Sequence, residues 1–339
     1  MRVLAALSGG VDSSVAAALL LAEGHDVVAV TMKLWGGAQD SGCCSVGDVE
    51  DARRVAQQLG IAHHVFNFTD EFDARVVRPY TEAHAAGRTP NPCIDCNRYL
   101  KFDRLLRRAD QLGFDAVATG HYARITSDHR LLRGADAAKD QSYVLYALTP
   151  AQLRRVRFPI GHLAKREVRR RAEQLGLRTA AKAESQDTCF ITASGGRAQF
   201  LGDRIGLHPG RVVDATGAEV GQVPAVELVT VGQRRGLGDR GLQRHYAVAV
   251  DIPTRTVKIG SLDELRTDRV ELSDVSWTTD SPPPAGTAVA AQASAHGSAF
   301  DATWDGEAAC FVRPVRRPAP GQALVLYAGD EVLGGGTVR

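Results

Sequence analysis

The sequence predicts an α/β fold for the first half of the chain, followed by two small β-rich domains. Short apolar strands alternate with helical segments up to about residue 200, and glycine, proline and short β-rich runs become frequent after it. Alternating strands and helices build a parallel sheet that binds ligands at the carboxyl ends of its strands. At 339 residues, the chain is also longer than one hydrophobic core usually supports.

The first half contains four candidate strands, at residues 3–7, 27–31, 64–68 and 116–119. Apolar residues then repeat at helical spacing between residues 49 and 59 and between residues 105 and 112. Each of these helices is followed by a glycine, Gly60 or Gly113, which can end it in the left-handed conformation. A further helix is predicted at residues 167–175, before Gly176.

The second half is predicted to be built from short strands separated by turns. These strands lie at residues 226–231, 246–250, 256–259, 270–275, 287–293, 310–312, 324–327 and 331–333. Short strands with frequent turn residues favour a small sandwich or a barrel. We place the domain boundaries at residues 1–195, 196–262 and 263–339.

The segment from Ser8 to Ser14, with the sequence SGGVDSS, directly follows the first apolar strand. Its glycines allow close approach to a ligand, and its hydroxyl and N–H groups meet an anion at the positive end of the next helix. No lysine follows the glycines, unlike in the GxxxxGK[ST] loop. The segment therefore suits a pyrophosphate that leaves ATP whole, although a glycine turn with capping serines is the simpler alternative.

Thiols form the second notable pattern. Cys93 and Cys96 lie in TPNPCIDCN, where two prolines fix an extended loop before a helix, and a thiol near a helix N-terminus has a lowered pKa. Cys189 lies far along the chain in ESQDTCF. The chain has six cysteines in all, which favours reactive reduced thiols over a disulfide framework. Cys43 and Cys44 are expected in a loop, and Cys310 in the core.

Charge and hydropathy restrict the location and the partners. The net charge is only +2, but the stretch from Arg154 to Lys182 holds ten Lys or Arg and two Asp or Glu. This stretch fits contact with a phosphate backbone or, equally, a solvated helix face. The N-terminus lacks the apolar segment of a signal peptide, and the longest apolar run, residues 15–22, is too short to cross a bilayer. We therefore expect a cytoplasmic protein with no membrane partner.

Over essentially its whole length the chain resembles the bacterial tRNA-specific 2-thiouridylases, the MnmA/TrmU family. The matching segments are SGGVDSSV, MKLW, GCCSVGDVEDARRVA, GRTPNPCIDCN, ATGHYARI, KDQSYVLYAL, FPIGHL, ESQDTCFI and VGQRRGLG. The first of these is shared with other adenylating enzymes, whereas the thiol loops and VGQRRGLG are more specific. The resemblance implies a PP-loop domain of the adenine nucleotide α-hydrolase type and a last domain that is a β-barrel.

The resemblance also implies a set of site residues. ATP, with Mg²⁺, would be bound by Ala6, Leu7, Ser8, Gly9, Gly10, Val11, Asp12, Ser13, Met32 and Gly120. The tRNA would be contacted by Asn91, Pro92, Cys93, His121, Lys139, Asp140, Gln141, Gln233, Arg234, Arg235 and Gln322. The catalytic residues would be Cys96 and Cys189.

The implied reaction is 2-thiolation of the wobble uridine of tRNA. ATP would activate the C2 oxygen as an adenylate, and a persulfide on Cys189 would deliver sulfur as AMP leaves. Cys96 would then act as the second nucleophile, because one thiol carries the sulfur and another attacks the S–S bond. A sulfur-relay protein or a cysteine desulfurase would supply the persulfide. A different adenylating ligase, or a zinc or redox module, is the alternative.

Two features depart from the family pattern. Many relatives have Asp where this chain has Cys93, so an acid–base role at that position is lost and Asp95 is one possible substitute. The change also gives three cysteines, Cys93, Cys96 and Cys189, which could instead hold an iron–sulfur cluster with one iron open for sulfide. In addition, the basic and aromatic tRNA contact of the last domain is not recognisable in the segment at residues 291–296.

Overall fold

The computed structural model describes residues 1–36, 46–183, 188–191, 195–237 and 245–339. Its strands are β1 (Arg2–Ala6), β2 (Asp26–Lys33), β3 (His63–Asn67), β4 (Ala116–Ala118), β5 (Ala123–Ile125), β6 (Leu131–Arg133), β7 (Val156–Arg157), β8 (Gly210–Val213), β9 (Glu219–Val223), β10 (Tyr246–Asp251), β11 (Thr256–Gly260), β12 (Arg266–Trp277), β13 (Thr287–Gln292), β14 (Ala299–Trp304), β15 (Ala308–Arg316), β16 (Ala323–Ala328) and β17 (Glu331–Val338).

The α-helices of the described residues are α1 (Val11–Ala22), α2 (Val46–Gln58), α3 (Thr69–Phe72), α4 (Arg78–Ala85), α5 (Pro92–Asp95), α6 (Leu105–Gln111), α7 (Pro150–Leu153), α8 (Lys165–Gln174) and α9 (Gly196–Gly202). Wider π-helical stretches, Asp73–Val77 and Cys96–Arg104, join α3 to α4 and α5 to α6, and short 3₁₀ turns lie at Ser142–Leu145, Val226–Leu228 and Asp263–Leu265. None of these helices combines the length and apolar character of a membrane span.

A parallel five-stranded sheet in the order β3-β2-β1-β4-β7 forms the centre of the first domain. The interior of β1, Val3, Leu4 and Ala5, is buried because helices cover both faces of the sheet. Helix α1 leaves the carboxyl end of β1 after a four-residue loop, and Gly10 precedes its first turn. The loop therefore lies at the edge of the sheet where α/β proteins bind ligands.

A smaller four-stranded sheet, in the order β10-β11-β8-β9, follows the parallel sheet. After it, β12 to β17 close into a six-stranded barrel, because β12 pairs with both β15 and β17. Trp304 and Leu326 lie inside the barrel core. The predicted α/β domain, the β-rich middle and the terminal barrel are thus confirmed, while the boundaries at residues 195 and 262 stay a prediction.

Several parts of the second half differ from the sequence prediction, which did not include strands β8 and β9. Residues 226–231 are not a strand: they begin with the 3₁₀ turn Val226–Leu228, in which Val226 packs on the four-stranded sheet and Leu228 on the first domain. Strand β14 was not predicted because Asp301 and Thr303 interrupt its apolar residues.

The hairpin of β5 and β6 is a further unpredicted element. It emerges from the first domain, and β6 pairs with β17, so the barrel sheet continues into the first domain. Arg133 at the end of β6 donates to the Gln292 side chain at 2.8 Å and lies 3.6 Å above the ring of Tyr327. The barrel is therefore attached to the first domain by both backbone pairing and side chains.

Candidate active site

The predicted phosphate loop, residues 7–10, folds around the first turn of α1. The Ser8 amide donates to Ser13 Oγ at 3.2 Å, and Ser13 Oγ lies 3.1 Å from the Gly10 carbonyl, to which it donates. Gly9 has a φ of +72°, and a Cβ there would lie 2.3 Å from the Asp48 carbonyl oxygen. Only glycine fits this close approach, so the loop is held around a helix start whose amides can receive an anion.

Gly120 packs directly against this helix start. It follows β4, and a Cβ on it would lie 2.6 Å from the Ser13 amide nitrogen. Met32, near the end of β2, packs against the same hydrophobic cluster as Ala6 at the end of β1. The structure therefore brings three separate segments predicted to bind nucleotide to one edge of the sheet. Their contact with ATP stays a prediction.

A lysine that sequence reasoning missed lies beside the loop. The ammonium of Lys165, at the start of α8, lies 2.7 and 2.8 Å from the carboxylate oxygens of Asp12. The hydroxyl of Tyr122 donates to the same carboxylate at 2.6 Å. Asp12 is therefore neutralised and fixed by two groups that come from more than 100 residues downstream in the chain.

A second missed lysine contacts the loop backbone itself. Lys182 Nζ donates to the Gly9 carbonyl at 3.0 Å and to Asp48 and Asp51 at 2.7 Å each. Both lysines belong to the basic stretch from Arg154 to Lys182, for which the sequence favoured either an RNA backbone contact or a solvated face. The run of basic residues was the signal in the sequence, but the spacing of these residues did not show that Lys165 and Lys182 lie beside the nucleotide loop.

The first thiol segment begins a helical run. Asn91 caps α5 by accepting the Cys93 amide at 3.0 Å, and Pro92 occupies the first helical position. Cys93 is exposed, whereas Cys96, one turn later, is 7% exposed within the main hydrophobic cluster. The predicted position near a helix start is confirmed for Cys93. Cys96 lies one turn further along and is buried, whereas a residue of a surface loop would be exposed.

The second thiol segment is anchored by aromatic packing. Phe190 is 3% exposed, and the centroid of its ring lies 5.0 Å from that of Phe200, 5.5 Å from Tyr80 and 5.7 Å from Phe72. Cys189, directly before it, is partly buried and packs against the same cluster that contains Cys96. The two thiols thus share one hydrophobic cluster with Ala6 and Met32, although they are far apart in the sequence.

A cavity of about 490 Å³ lies between the two thiol segments. It is lined by Tyr80, His84, Thr89, Pro90, Asn91, Pro92, Thr188, Ile191, Gly196, Arg197 and Gln322. Residues next to Cys93 and on both sides of Cys189 therefore face one cavity, whose volume is in the range of small-ligand sites. Its mixture of aromatic, proline and hydrogen-bonding side chains suits a nucleobase better than a bare anion.

Gln322 joins the barrel to the first thiol segment. Its amide nitrogen donates to the Thr89 carbonyl at 2.6 Å, and the Thr89 amide donates to the Pro320 carbonyl at 2.8 Å. Gln322 also lines the cavity. The structure therefore gives this predicted tRNA contact a second task, which is to hold the thiol loop against the last domain.

Other predicted tRNA contacts lie inside the protein. His121 is 8% exposed, with its ring between Phe102 and Phe158 and its Nδ1 at 2.7 Å from Thr119 Oγ1. Burial holds the pKa of His121 well below its ordinary value, so the ring is uncharged at neutral pH. The geometry is that of a core histidine, and a direct tRNA contact stays a prediction.

The segment Lys139–Asp140–Gln141 is tied into the fold. Asp140 accepts hydrogen bonds from Arg133 at 3.0 Å, the Gly134 amide at 2.8 Å and Ser142 Oγ at 2.9 Å. The side-chain oxygen of Gln141 accepts the Tyr122 amide at 3.0 Å. Asp140 and Gln141 therefore support the β5–β6 hairpin and Tyr122, and RNA contact by this segment stays a prediction.

The turn at Gln233, Arg234 and Arg235 presents two exposed cations. Gln233 stabilises the turn, because its side-chain oxygen accepts the Thr230 amide at 3.2 Å and its amide nitrogen donates to the Arg235 carbonyl at 2.8 Å. Both arginine side chains are thus available at the surface, as a phosphate contact requires. The glycine-rich continuation from residue 238, the ESQD segment at 184–187 and Cys43–Cys44 lie outside the described residues.

Asp95, the suggested replacement for the missing acidic residue, is not among the residues that line the cavity. Burial raises its pKa to about 6, Arg98 opposes this shift, and the Asp274 carboxylate of the barrel adds to it. Its electrostatic neighbours include a barrel strand, so the carboxyl group belongs to the contact between the domains. A role of Asp95 in proton transfer stays a prediction.

Two family models match the chain. The model described as the tRNA methyl transferase HUP domain covers residues 1–193, and the one described as the aminomethyltransferase beta-barrel domain covers residues 267–338. The first ends close to the predicted boundary at residue 195, and the second coincides with the closed barrel.

Curated relatives match over the whole chain. A protein from Mycobacteroides abscessus named tRNA-specific 2-thiouridylase MnmA is 46% identical over 355 aligned positions, covering 100% of this chain and 99% of the relative. Proteins of the same name from Mycolicibacterium vanbaalenii and Carboxydothermus hydrogenoformans are 47% and 43% identical, again over 100% of this chain and over 99% and 97% of their own lengths.

Proposed function

Because the chain belongs to the family of tRNA-specific 2-thiouridylases, we propose that it uses ATP to place sulfur on C2 of a tRNA wobble uridine. The observation that carries this proposal is the cavity between the two thiol segments. Cys93 and Cys189 are 96 residues apart in the sequence, and their neighbours line one space large enough for a base.

The first step is adenylation of the uridine. The C2 oxygen attacks the α-phosphorus of ATP, the bond to the β-phosphate oxygen breaks, and pyrophosphate leaves with that electron pair while N3 loses its proton. The loop at residues 7–10 and the start of α1 supply amides for the departing negative charge. Asp12, whose carboxylate Lys165 and Tyr122 fix beside the loop, would be the residue that holds Mg²⁺, an ion that usually binds one or two carboxylates together with phosphate oxygens.

The second step is sulfur transfer. The terminal sulfur of a Cys189 persulfide attacks C2, and AMP leaves as the C–S bond forms. The Cys96 thiolate then attacks the Cys189 sulfur, which frees the thiocarbonyl and forms a Cys96–Cys189 disulfide; release of hydrogen sulfide from the persulfide by Cys96 is the other route to the same product. Cys96 is buried and Cys189 is partly buried, which limits competing reaction of these sulfur atoms with water.

An iron–sulfur cluster on Cys93, Cys96 and Cys189 does not fit the described residues, in which no three Cys, His, Asp or Glu side chains converge in a metal-binding arrangement. We therefore derive no step through a cluster. A sulfur-relay protein or a cysteine desulfurase would load Cys189, in the cytoplasm where tRNA is found.

The experiment measures 2-thiouridine by nucleoside analysis of tRNA incubated with the protein, ATP and a sulfur donor. Cys189→Ser and Cys96→Ser should each abolish the product but leave ATP binding unchanged. Cys310→Ser is the matched control, since this thiol lies in β15 beside Arg269 and Asp305, outside the cavity lining. Thiolation at the wild-type rate by Cys189→Ser would contradict the mechanism, and no thiolation by the wild type would contradict the function.

A further inference from the structure

The phosphate loop supplies no cation of its own, yet the group it is proposed to release is highly charged. The only charged side chain within the SGGVDSS segment is Asp12, an anion that is already paired with Lys165 and adds no positive charge to the loop. The start of a helix contributes only about half of a positive charge. Pyrophosphate leaving ATP carries several negative charges, so a side-chain cation close to the loop would stabilise it in addition to Mg²⁺.

Lys182 fulfils this requirement in the structure. Its Nζ lies 3.0 Å from the carbonyl oxygen of Gly9. Gly9 is the loop residue with a left-handed backbone conformation. Burial alone would lower its pKa, but hydrogen bonds to Asp48 and Asp51 outweigh this and raise it, so the ammonium is charged. A charged, partly buried ammonium is thus fixed within hydrogen-bonding distance of the loop backbone.

Lys165 is placed for a different task. Its ammonium binds both oxygens of Asp12, a side chain in the first turn of α1, and lies 5.7 Å from the Tyr122 ring centroid. These contacts orient a carboxylate. Lys182, in contrast, contacts the main chain of the loop. Hydrogen bonds of 2.7 Å to each of two carboxylates hold its ammonium in that position.

We infer that Lys182 binds the pyrophosphate half of ATP, and that Asp48 and Asp51 hold its ammonium at the loop until phosphate oxygens replace them. The inference rests on the proposed function and adds a residue to it. The same ammonium stabilises the electron pair that pyrophosphate carries away from the α-phosphorus, so it favours departure as well as binding. No other proton or electron changes hands in this role.

The test uses the full chain with two probes, inorganic pyrophosphate and AMP, whose binding is measured by calorimetry. Lys182→Met should weaken pyrophosphate binding at least about tenfold, because a charge-assisted contact is lost. AMP lacks the β and γ phosphates, so its affinity should change by less than about twofold. Lys182→Arg should restore part of the pyrophosphate affinity.

Arg178→Met is the matched control, because Arg178 forms an ion pair with the same Asp51 at 3.3 Å and so removes a cation from the carboxylate without removing the contact to Gly9. It should leave both affinities within about twofold of the wild type. An equal loss of AMP and pyrophosphate affinity in Lys182→Met, or no loss of either in a folded protein, would show an ion pair with a purely structural role and overturn the inference.

If Lys182→Met does not fold, the double variant Asp48→Asn/Asp51→Asn tests the same idea from the other side. Removing the two competing carboxylates should tighten pyrophosphate binding by about threefold or more, and unchanged or weaker binding would overturn the inference. The proposed function is judged separately by 2-thiouridine formation in the wild type. If Lys182→Met weakens the binding of pyrophosphate but not of AMP, and the wild type makes no 2-thiouridine, the role of Lys182 stands and the proposed thiolation activity is wrong.

Discussion

Replacing Gly120 by alanine tests whether the end of β4 positions the nucleotide loop. The added Cβ would lie 2.6 Å from the Ser13 nitrogen and 2.8 Å from the Asp12 carbonyl carbon, both backbone atoms that cannot rotate away. Ordinary contact begins at 3.4 Å, so the strand end and the start of α1 must separate by about 0.8 Å. The displaced element is the helix turn that carries Asp12 and Ser13.

Two consequences of Gly120→Ala can be measured. Overpacking of this kind costs about 1–3 kcal/mol of folding free energy, which a urea titration at neutral pH detects. A displacement approaching 1 Å at a reacting group lowers kcat/KM by about ten- to a hundredfold, and the assay is tRNA-dependent release of pyrophosphate. The loss should appear in the KM for ATP as well as in kcat, because the loop both binds and orients the phosphates.

Gly36→Ala is the control. It lies just after β2 on the same edge of the sheet, and its nearest atoms to an added Cβ are 3.7 Å away on Thr69 and 3.8 Å away on Lys33. Alanine fits there, so stability and pyrophosphate release should remain close to wild type. If Gly120→Ala behaves like Gly36→Ala in both assays, the close packing of Gly120 on α1 does not position the loop.

Three other changes give distinct readouts. Arg234→Glu combined with Arg235→Glu should weaken tRNA binding. The slope of log affinity against log salt concentration should fall by the amount expected for about two phosphate contacts, and an unchanged slope would show that these arginines are only solvated surface. The folded pKa of Asp95, about 6, exceeds its ordinary value of 3.8, so the free energy of unfolding falls as pH rises between them. In urea titrations, the free energy of unfolding of Asp95→Asn should therefore exceed that of the wild type by up to about 3 kcal/mol at pH 7.5 and by little at pH 4. An equal increase at both pH values would refute this. Arg133→Met should lower stability by about 1.5–3 kcal/mol by removing the cation above Tyr327 and two charge-assisted contacts, and a change below about 0.5 kcal/mol in thermal unfolding would contradict it.

Local patterns in the sequence were sufficient for the first four strands of the first domain. Strands β1, β2, β3 and β4 lie within one or two residues of their predicted bounds, and β1, β2 and β4 are largely buried apolar runs that end in glycine or polar turns. The helix start after Gly10 also followed from local chemistry. These features depend on neighbours in the sequence, which explains why they could be predicted.

Long-range partners explain what the sequence did not reveal. Lys165 and Lys182 reach the loop from 153 and 173 residues away, and no spacing rule connects them to it. His121 matched a family position, yet two phenylalanines from distant segments enclose its ring. The β5–β6 hairpin was missed because each strand has three residues and its stability comes from pairing with β17.

The shared sheet between the hairpin and the barrel has a thermodynamic consequence. Leu131 of β6 belongs to the same buried cluster as Val325, Tyr327 and Val332, whereas Leu324 and Leu326 of the same barrel wall point into the barrel's own core, so one outer face of the barrel is buried against the first domain. A truncation before β12 would expose this shared cluster to water and leave β6 with an unpaired edge. The first domain and the barrel should consequently melt together in a single cooperative transition, and neither should be obtained as a stable fragment.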